Sequence, residues 1–436
     1  MSADSGVRRS DEPRLWRLVG RVAIVVAASI TVGMATVVGV AVVSLRPMVL
    51  LVSGLGAGAA VGAAGILWVA RRQVGPRRRR LLWGTSAILA VSMGVVTLLF
   101  AVPSGDVGSP AAAVDGESYW SLPTGSKLRY VGVPASGTAR PTPVVFVHGG
   151  PGTPDLVRDI AYFGRLAEDG FDVYVYDQFG AGGSTRLTDP EQYGRDRDVA
   201  DLEAIRQAIG AEQLILIGHS YGATVVAGYL AAHPMRVART LLASPASLDP
   251  ADSSGGNLQS RLTRDQRLEL YARLLRPRNL LIYTLLQVNP ALAHQVAGDA
   301  EMDAQNDLVY AATEPALHCP GHALETPPTG LGFYRLQYPQ SAAAPADRDL
   351  RPLLAGNDTP TLLVKGSCDY LSWESVVTYL ETLSDAQLVY MSGGHNVHHD
   401  APEEFLATAR AFLTDSPLPI APYSGTTVPS DYEGAR

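Results

Sequence analysis

Three long apolar stretches open the chain, at about residues 20–45, 48–70 and 81–103, uncharged apart from Arg21. Each exceeds the ~20 residues that cross ~30 Å of hydrocarbon at 1.5 Å per residue, so three membrane-spanning helices are predicted. After Pro103 the pattern changes. A stretch rich in Gly, Ser, Pro and Ala (104–117) reads as a linker, and residues 118–133 read as a short hairpin. Short, continuously apolar runs then alternate with helical ones. Strands are predicted at Val144–Val147, Val173–Tyr176, Leu214–Ile217 and Thr240–Ala243, with helices at Leu156–Glu168, Val199–Ile209 and Ala223–Ala232 between them. The alternation resumes with strands Thr361–Val364 and Gln387–Tyr390 and helices Ser372–Leu383 and Pro402–Phe412. Such a pattern predicts an α/β fold, a doubly wound and mostly parallel sheet covered on both faces. Its core comprises residues 118–247 and 351–415. Residues 248–350 carry helical stretches (Thr263–Leu275, Leu280–Leu286) without a strand pattern and form an insertion, and the Pro/Ser/Gly-rich tail 416–436 is expected to be flexible.

Arginine placement gives the apolar stretches a direction. Arg8, Arg9, Arg14 and Arg17 precede the first and Arg21 stands at its start, six arginines (Arg71, Arg72 and Arg77 to Arg80) separate the second from the third, and only Arg46 separates the first from the second. Cytoplasmic loops hold the excess of basic residues, so a multi-pass cell-membrane protein is expected with everything after Pro103 outside the cytoplasm. Residues 1–103 carry a net charge of +9, which leaves −16 on the remainder. An acidic body of that kind is repelled by nucleic acid and by anionic lipid surfaces, so nucleic-acid partners are excluded and the bilayer is met through the N-terminal helices. The two cysteines, Cys319 and Cys368, both fall in the acidic part. They lack metal-ligand spacing and are either two free thiols or one disulfide.

Chemistry concentrates at the ends of the predicted strands. Gly218-His219-Ser220-Tyr221-Gly222 sits at a strand-to-helix junction, where a sharp turn exposes a serine hydroxyl and small neighbours let strand and helix approach. A serine nucleophile needs a base and a group that orients the base, in the chain order Ser, acid, His on this architecture. Asp369 follows the resumed strand, and His395 follows the last strand after two glycines. His398 and His399 compete for the base role; His219 is assigned to packing. His148-Gly149-Gly150-Pro151-Gly152 follows the strand 144–147, where a Gly149 or Gly150 N–H can join that of Tyr221 in an oxyanion hole.

These residues resemble the α/β-hydrolase fold and, within it, the proline iminopeptidase-like family of serine peptidases. "HGGPG" at 148–152, "DQFGAGGS" at 177–184, "GHSYG" at 218–222, "CDY" at 368–370 and "GGH" at 393–395 match that pattern in order, over roughly residues 120–415. The resemblance implies Ser220 as nucleophile, Asp369 as acid, His395 as base and residues 248–350 as a helical cap. The family usually has Arg where Phe179 stands and often Trp where Tyr221 stands. Its cap carboxylates grip a substrate α-amine, and Glu301, Asp303 and Glu314 are available here. The N-terminal spans lie outside the family pattern.

The expected function is that of a membrane-anchored serine hydrolase on peptide or ester substrates, working through an acyl-enzyme without metal or organic cofactor. A proline iminopeptidase-like aminopeptidase leads, a carboxylesterase or lipase-like enzyme is the alternative, and a non-catalytic receptor on a hydrolase fold is a third reading. The sequence leaves the oligomeric state open. A Cys319–Cys368 bond would tether the insertion beside the acid.

Overall fold

The computed structural model describes residues 12–103, 105, 108, 110–250, 256, 258–322 and 326–434. Arg8 and Arg9, linker residues 104, 106, 107 and 109, insertion residues 251–255, 257 and 323–325, and tail residues 435–436 lie outside them. The chain divides into two compact units. One comprises the N-terminal helices together with Pro277–Val296; the other holds residues 105–276 and 297–436.

In the first unit α1 (Glu12–Ala41), α2 (Pro47–Ala70) and α3 (Gly75–Ala101) are each long and apolar enough to cross a membrane. The first helix ends four residues sooner than the sequence pattern suggests, and the third begins before its arginine run, so Arg77 to Arg80 are helical. Gly54 and Gly58, one turn apart on α2, fix the packing against α1. A Cβ on Gly54 would lie 2.5 Å from the Val37 side chain, and one on Gly58 would lie 2.9 Å from the Ser29 carbonyl. Small residues at that spacing let two helix backbones approach closely.

The second unit is built on an eight-stranded sheet in the order β1-β2-β4-β3-β5-β6-β7-β8. The hairpin of β1 (Ser118–Ser121) and β2 (Lys127–Val133) is antiparallel to its neighbours, whereas β3 (Val144–Val147), β4 (Val173–Tyr176), β5 (Leu214–His219), β6 (Val237–Ala243), β7 (Thr361–Gly366) and β8 (Ala386–Met391) run parallel. Every residue of β3, β5 and β7 is buried, as expected of mainly apolar strands covered on both faces, and His219 and Lys365 are buried with them. Covering helices are α4 (Leu156–Phe163), α5 (Arg195–Ile209) and α6 (Tyr221–Ala232). The helix expected to reach Glu168 tightens after Phe163 into a 3₁₀ turn that ends at Gly170, φ 87°.

Residues 248–350 contain no strand among the described residues, but they do not form one cap. The helices are α7 (Arg264–Leu274), α8 (Pro277–Val288), α9 (Pro290–Val296), α10 (Asp299–Thr313) and α11 (Phe333–Gln337). Of these, α8 and α9 belong to the first unit. Arg278 donates to the Phe100 carbonyl (3.2 Å) and Asn289 to that of Ala41 (2.8 Å). Each thereby satisfies an acceptor at a helix C-terminus that has no partner within its own helix. After α12 (Arg351–Leu354), α13 (Glu374–Thr382), α14 (Val397–Asp400) and α15 (Pro402–Leu413) complete the second unit.

The tail also departs from expectation. Although its described residues form no helix or strand, it is docked: Tyr432 is buried, its hydroxyl donates to the Leu371 carbonyl (2.5 Å), and Trp373 Nε1 donates to the Thr426 carbonyl (2.8 Å). Two aromatic side chains gain burial there, which a composition rich in Pro, Ser and Gly conceals.

Candidate active site

Ser220 occupies the turn between β5 and α6 with no intervening loop. Its backbone has φ 52° and ψ −118°, a region that costs a non-glycine residue roughly 1–3 kcal/mol and persists only where the surroundings enforce it. Its neighbours show the enforcement. A Cβ on Gly218 would lie 2.7 Å from Ala223 Cα, and one on Gly222 would lie 2.0 Å from the Val147 carbonyl oxygen. The two glycines are therefore where strand, helix and β3 close on one another. The strand and helix of the sequence reading each extend to the turn, leaving Ser220 alone at its apex.

His395 Nε2 lies 2.9 Å from Ser220 Oγ, and His395 Nδ1 lies 2.8 Å from Asp369 Oδ1. Residues 220, 369 and 395, carried by the ends of β5, β7 and β8, thus meet in one chain of hydrogen bonds. Of the three candidate bases, it is His395 whose ring nitrogen lies within hydrogen-bond distance of the serine hydroxyl. His398 is buried against Phe163 and Phe405, with ring centroids 5.6 and 5.9 Å away. His395 is held by its own backbone: its N–H donates to the Leu317 carbonyl (2.7 Å), and its carbonyl accepts from His219 Nε2 (3.0 Å). Burial, reinforced by the neighbouring His395, pushes the His219 pKa down to about 3, so His219 is a neutral donor that positions the loop. This is more than the packing role the sequence suggested.

Asp369 has a second partner that sequence reasoning missed. Lys365, the fifth residue of β7, is wholly buried and places Nζ 2.7 Å from Asp369 Oδ2. Burial by itself would raise the Asp369 pKa. The Lys365 ammonium and His395 outweigh it and hold the carboxyl below the usual carboxylate range. The only signal in the sequence is a lysine inside the otherwise apolar "TLLVKG".

Around the serine, Gly149 is the closer of the two loop glycines. A Cβ on Gly149 would lie 3.1 Å from Ser220 Cβ, whereas one on Gly150 would meet Thr153. Tyr221 is the first residue of α6, so its N–H has no acceptor one turn back. The "HGGPG" and "DQFGAGGS" segments are bound to each other. The Gln178 N–H donates to His148 Nε2 (2.9 Å), and Gln178 Nε2 donates to the His148 carbonyl (2.7 Å). His148 Nδ1 is then the protonated nitrogen and donates to the Gly149 carbonyl (2.8 Å). Asp177 accepts from Arg129 Nε and from the Gly183 N–H, both at 2.7 Å. Much of what makes these motifs recognisable therefore shapes the loops rather than touching the serine.

An arginine reaches this region from the insertion. Arg335 on α11 is wholly buried and donates to Asp198 Oδ2 (2.5 Å), the oxygen that also accepts from the Tyr221 hydroxyl (2.7 Å). It also lies 3.3 Å from Gln178 Oε1, beside the Phe179 position. The carboxylates expected to grip an amine are differently engaged. Asp303 pairs with Arg186 (3.0 Å) and accepts from the Phe333 N–H (2.8 Å); Glu314 accepts from His318 Nε2 (2.9 Å). Glu301 lies half-buried on α10. Cys319 and Cys368 are joined as a disulfide. It links the segment whose Leu317 carbonyl holds His395 to the residue immediately before Asp369.

Sheet order, the serine at the β5–α6 turn and the positions of the acid and histidine define an α/β hydrolase. The chain belongs to the alpha/beta hydrolase fold family, whose sequence profile matches residues 142–402. Among characterised proteins it is similar to the proline iminopeptidase of Heyndrickxia coagulans, at 38% identity over 104 residues, 24% of this chain and 35% of that one. The chain thus spans about a third of the length of the curated relatives it matches. Similar solved structures include the proline iminopeptidase of Mycobacterium smegmatis, with 22% identity, TM-score 0.47, and coverage of 68% of this chain and 98% of that one. An esterase from Rhodococcus sp. ECU1013 gives 19% identity, TM-score 0.47, and coverage of 69% and 100%.

Proposed function

We propose that this chain is a membrane-anchored serine hydrolase acting on acyl bonds, with Ser220 as nucleophile, His395 as general base and Asp369 as the acid that orients it. The observation that carries this reading is the pair of hydrogen bonds, at 2.9 and 2.8 Å, that join Ser220 to His395 and His395 to Asp369. His395 Nε2 takes the hydroxyl proton as Oγ attacks the acyl carbonyl. The tetrahedral oxyanion receives the Tyr221 N–H and a glycine N–H of the 149–150 loop, with Gly149 the better placed. His395 returns the proton to the leaving group, and water then repeats the sequence on the acyl-enzyme. Asp369 keeps the proton of the neutral imidazole on Nδ1. The length and apolarity of the three helices support their role as the anchor, and the arginine distribution supports a topology with residues after 103 outside the cytoplasm.

Within this chemistry the leading substrate class is a peptide with a free N-terminus, because the curated relatives are proline iminopeptidases. An ester is the second reading, and one observation favours it: Asp303 and Glu314 are already tied into internal pairs and are poorly disposed to receive an α-amine. The full chain in detergent, offered a fluorophosphonate probe and then proline amides and short-chain p-nitrophenyl esters, tests both levels. Labelling that disappears in Ser220→Ala supports the site; labelling that survives it refutes the assignment. The ratio of amide to ester turnover decides the substrate class.

A further inference from the structure

Behind the loop that carries His395 lies a polar cavity of about 50 Å³, lined by Gly149, His219, Tyr310, Asp159, His398 and His399 among others. Asp159 comes from α4, and the two histidines come from α14. One ligand atom from each of these three side chains lies within 4.8 Å of the other two. We infer that Asp159, His398 and His399 form a binding site for a divalent transition-metal ion of the zinc type.

Two observations support it. First, the donor set suits the ion: two imidazoles and one carboxylate are ligands of borderline-soft dications, and three protein ligands leave a coordination position open toward the cavity. Two donors bonded at ~2.1 Å in a tetrahedral shell lie ~3.4 Å apart, so from separations of up to 4.8 Å the side chains would draw in by about 1 Å on binding. Second, His398 is 3% exposed, and its Nδ1 is buried without a hydrogen-bond partner. Buried polar nitrogens are nearly always satisfied, so an orphan in a polar cavity points to a missing partner.

A second cluster, His318, His322 and Asp400, has comparable spacing, but both ring nitrogens of His318 already face carboxylate oxygens and neither offers a lone pair. The ion at Asp159 would sit beside His219, whose ring lies 4.9 Å from that of His398 and 5.0 Å from that of His395. Occupancy would therefore brace the loop that presents the base.

Zinc binding tests this without reference to turnover, so its failure would leave the hydrolase reading standing. The untagged full chain in detergent is stripped with chelator and titrated with Zn²⁺, with bound metal counted by elemental analysis. One ion per chain is expected, with affinity falling at least about tenfold in Asp159→Asn and in His399→Gln and unchanged in His322→Gln. Should the two variants misfold, Co²⁺ added to the unaltered chain gives an independent reading, with visible bands from nitrogen ligation expected. A stripped chain that takes up no zinc, binding that survives both substitutions, loss of binding in His322→Gln alone, or a cobalt spectrum like that of the aqueous ion overturns the proposal.

Discussion

The ammonium of Lys365 lies 2.7 Å from Asp369 on the side opposite His395, and neither side chain is exposed to solvent. Asp369 thus divides its charge between the Lys365 ammonium and the imidazole on its other oxygen. Lys365→Met should destabilise the fold by about 3–5 kcal/mol, because it leaves a buried carboxylate without its ion partner. The depressed pKa of Asp369 contributes stability that is present above the ordinary carboxylate pKa and lost as pH falls through the depressed value. In the variant this acid-side loss should move to higher pH, and the acid limb of kcat/KM should move with it. Denaturant melts and rate profiles from pH 4 to 7 measure both. An unchanged acid limb would show that Lys365 serves stability alone.

His318 makes the opposite prediction for alkaline solution. Burial would lower its pKa, but hydrogen bonds from both ring nitrogens to Asp400 and Glu314 override burial and push it up to about 9. A raised pKa contributes stability that is complete below about 6.5 and fades as pH rises through about 9. Asp400 also accepts from the Gly394 N–H at 2.7 Å, next to the proposed base. Melting temperature should therefore decline between pH 7 and 9.5, and His318→Gln should flatten that decline while lowering stability at pH 6. A wild-type curve flat across this range would contradict the charged state.

The Cys319–Cys368 bond closes a span of 49 residues. By chain entropy such a closure stabilises by up to about 4 kcal/mol. Its ends are the segment that holds His395 and the residue before Asp369, so reduction should cost activity as well as stability. With dithiothreitol, or in Cys319→Ser, kcat is expected to fall several-fold at temperatures well below the melt. Equal loss of activity and of folded fraction would mean that the bond acts through global stability only.

Gly222→Ala should abolish folding or activity. Its added methyl would lie 2.0 Å from the Val147 carbonyl oxygen, a contact that backbone atoms cannot relieve without separating α6 from β3. Circular dichroism and fluorophosphonate labelling distinguish an unfolded chain from a folded one with a displaced serine. A folded variant that labels at the wild-type rate would refute the account of the turn.

Much of this protein is legible before any coordinates exist. Uncharged length forecasts three spanning helices, and unbroken apolar runs forecast the buried strands, because both report directly on the solvent a segment can tolerate. Glycines flanking Ser220 and the residues just past β7 and β8 mark the site, because parallel strands deliver their carboxyl ends to one edge. What escapes the sequence are side-chain partnerships, whether the positions are far apart or, like Lys365 and Asp369, only four residues apart. Lys365 beneath Asp369, Arg335 beside Tyr221, the carboxylates around His318 and the anchoring of Tyr432 depend on which surfaces meet.

The division of residues 248–350 shows the same limit. Its helices are foreseeable from local pattern, yet only packing assigns α8 and α9 to the unit of the N-terminal helices. The sequence alone therefore determined the elements, the membrane-compatible segment and the three candidate catalytic side chains. Tertiary structure decided their partners, the disulfide and the fate of the tail. Local pattern encodes how each segment meets solvent, whereas ion pairs, cross-links and docking arise between segments and carry no periodic signature.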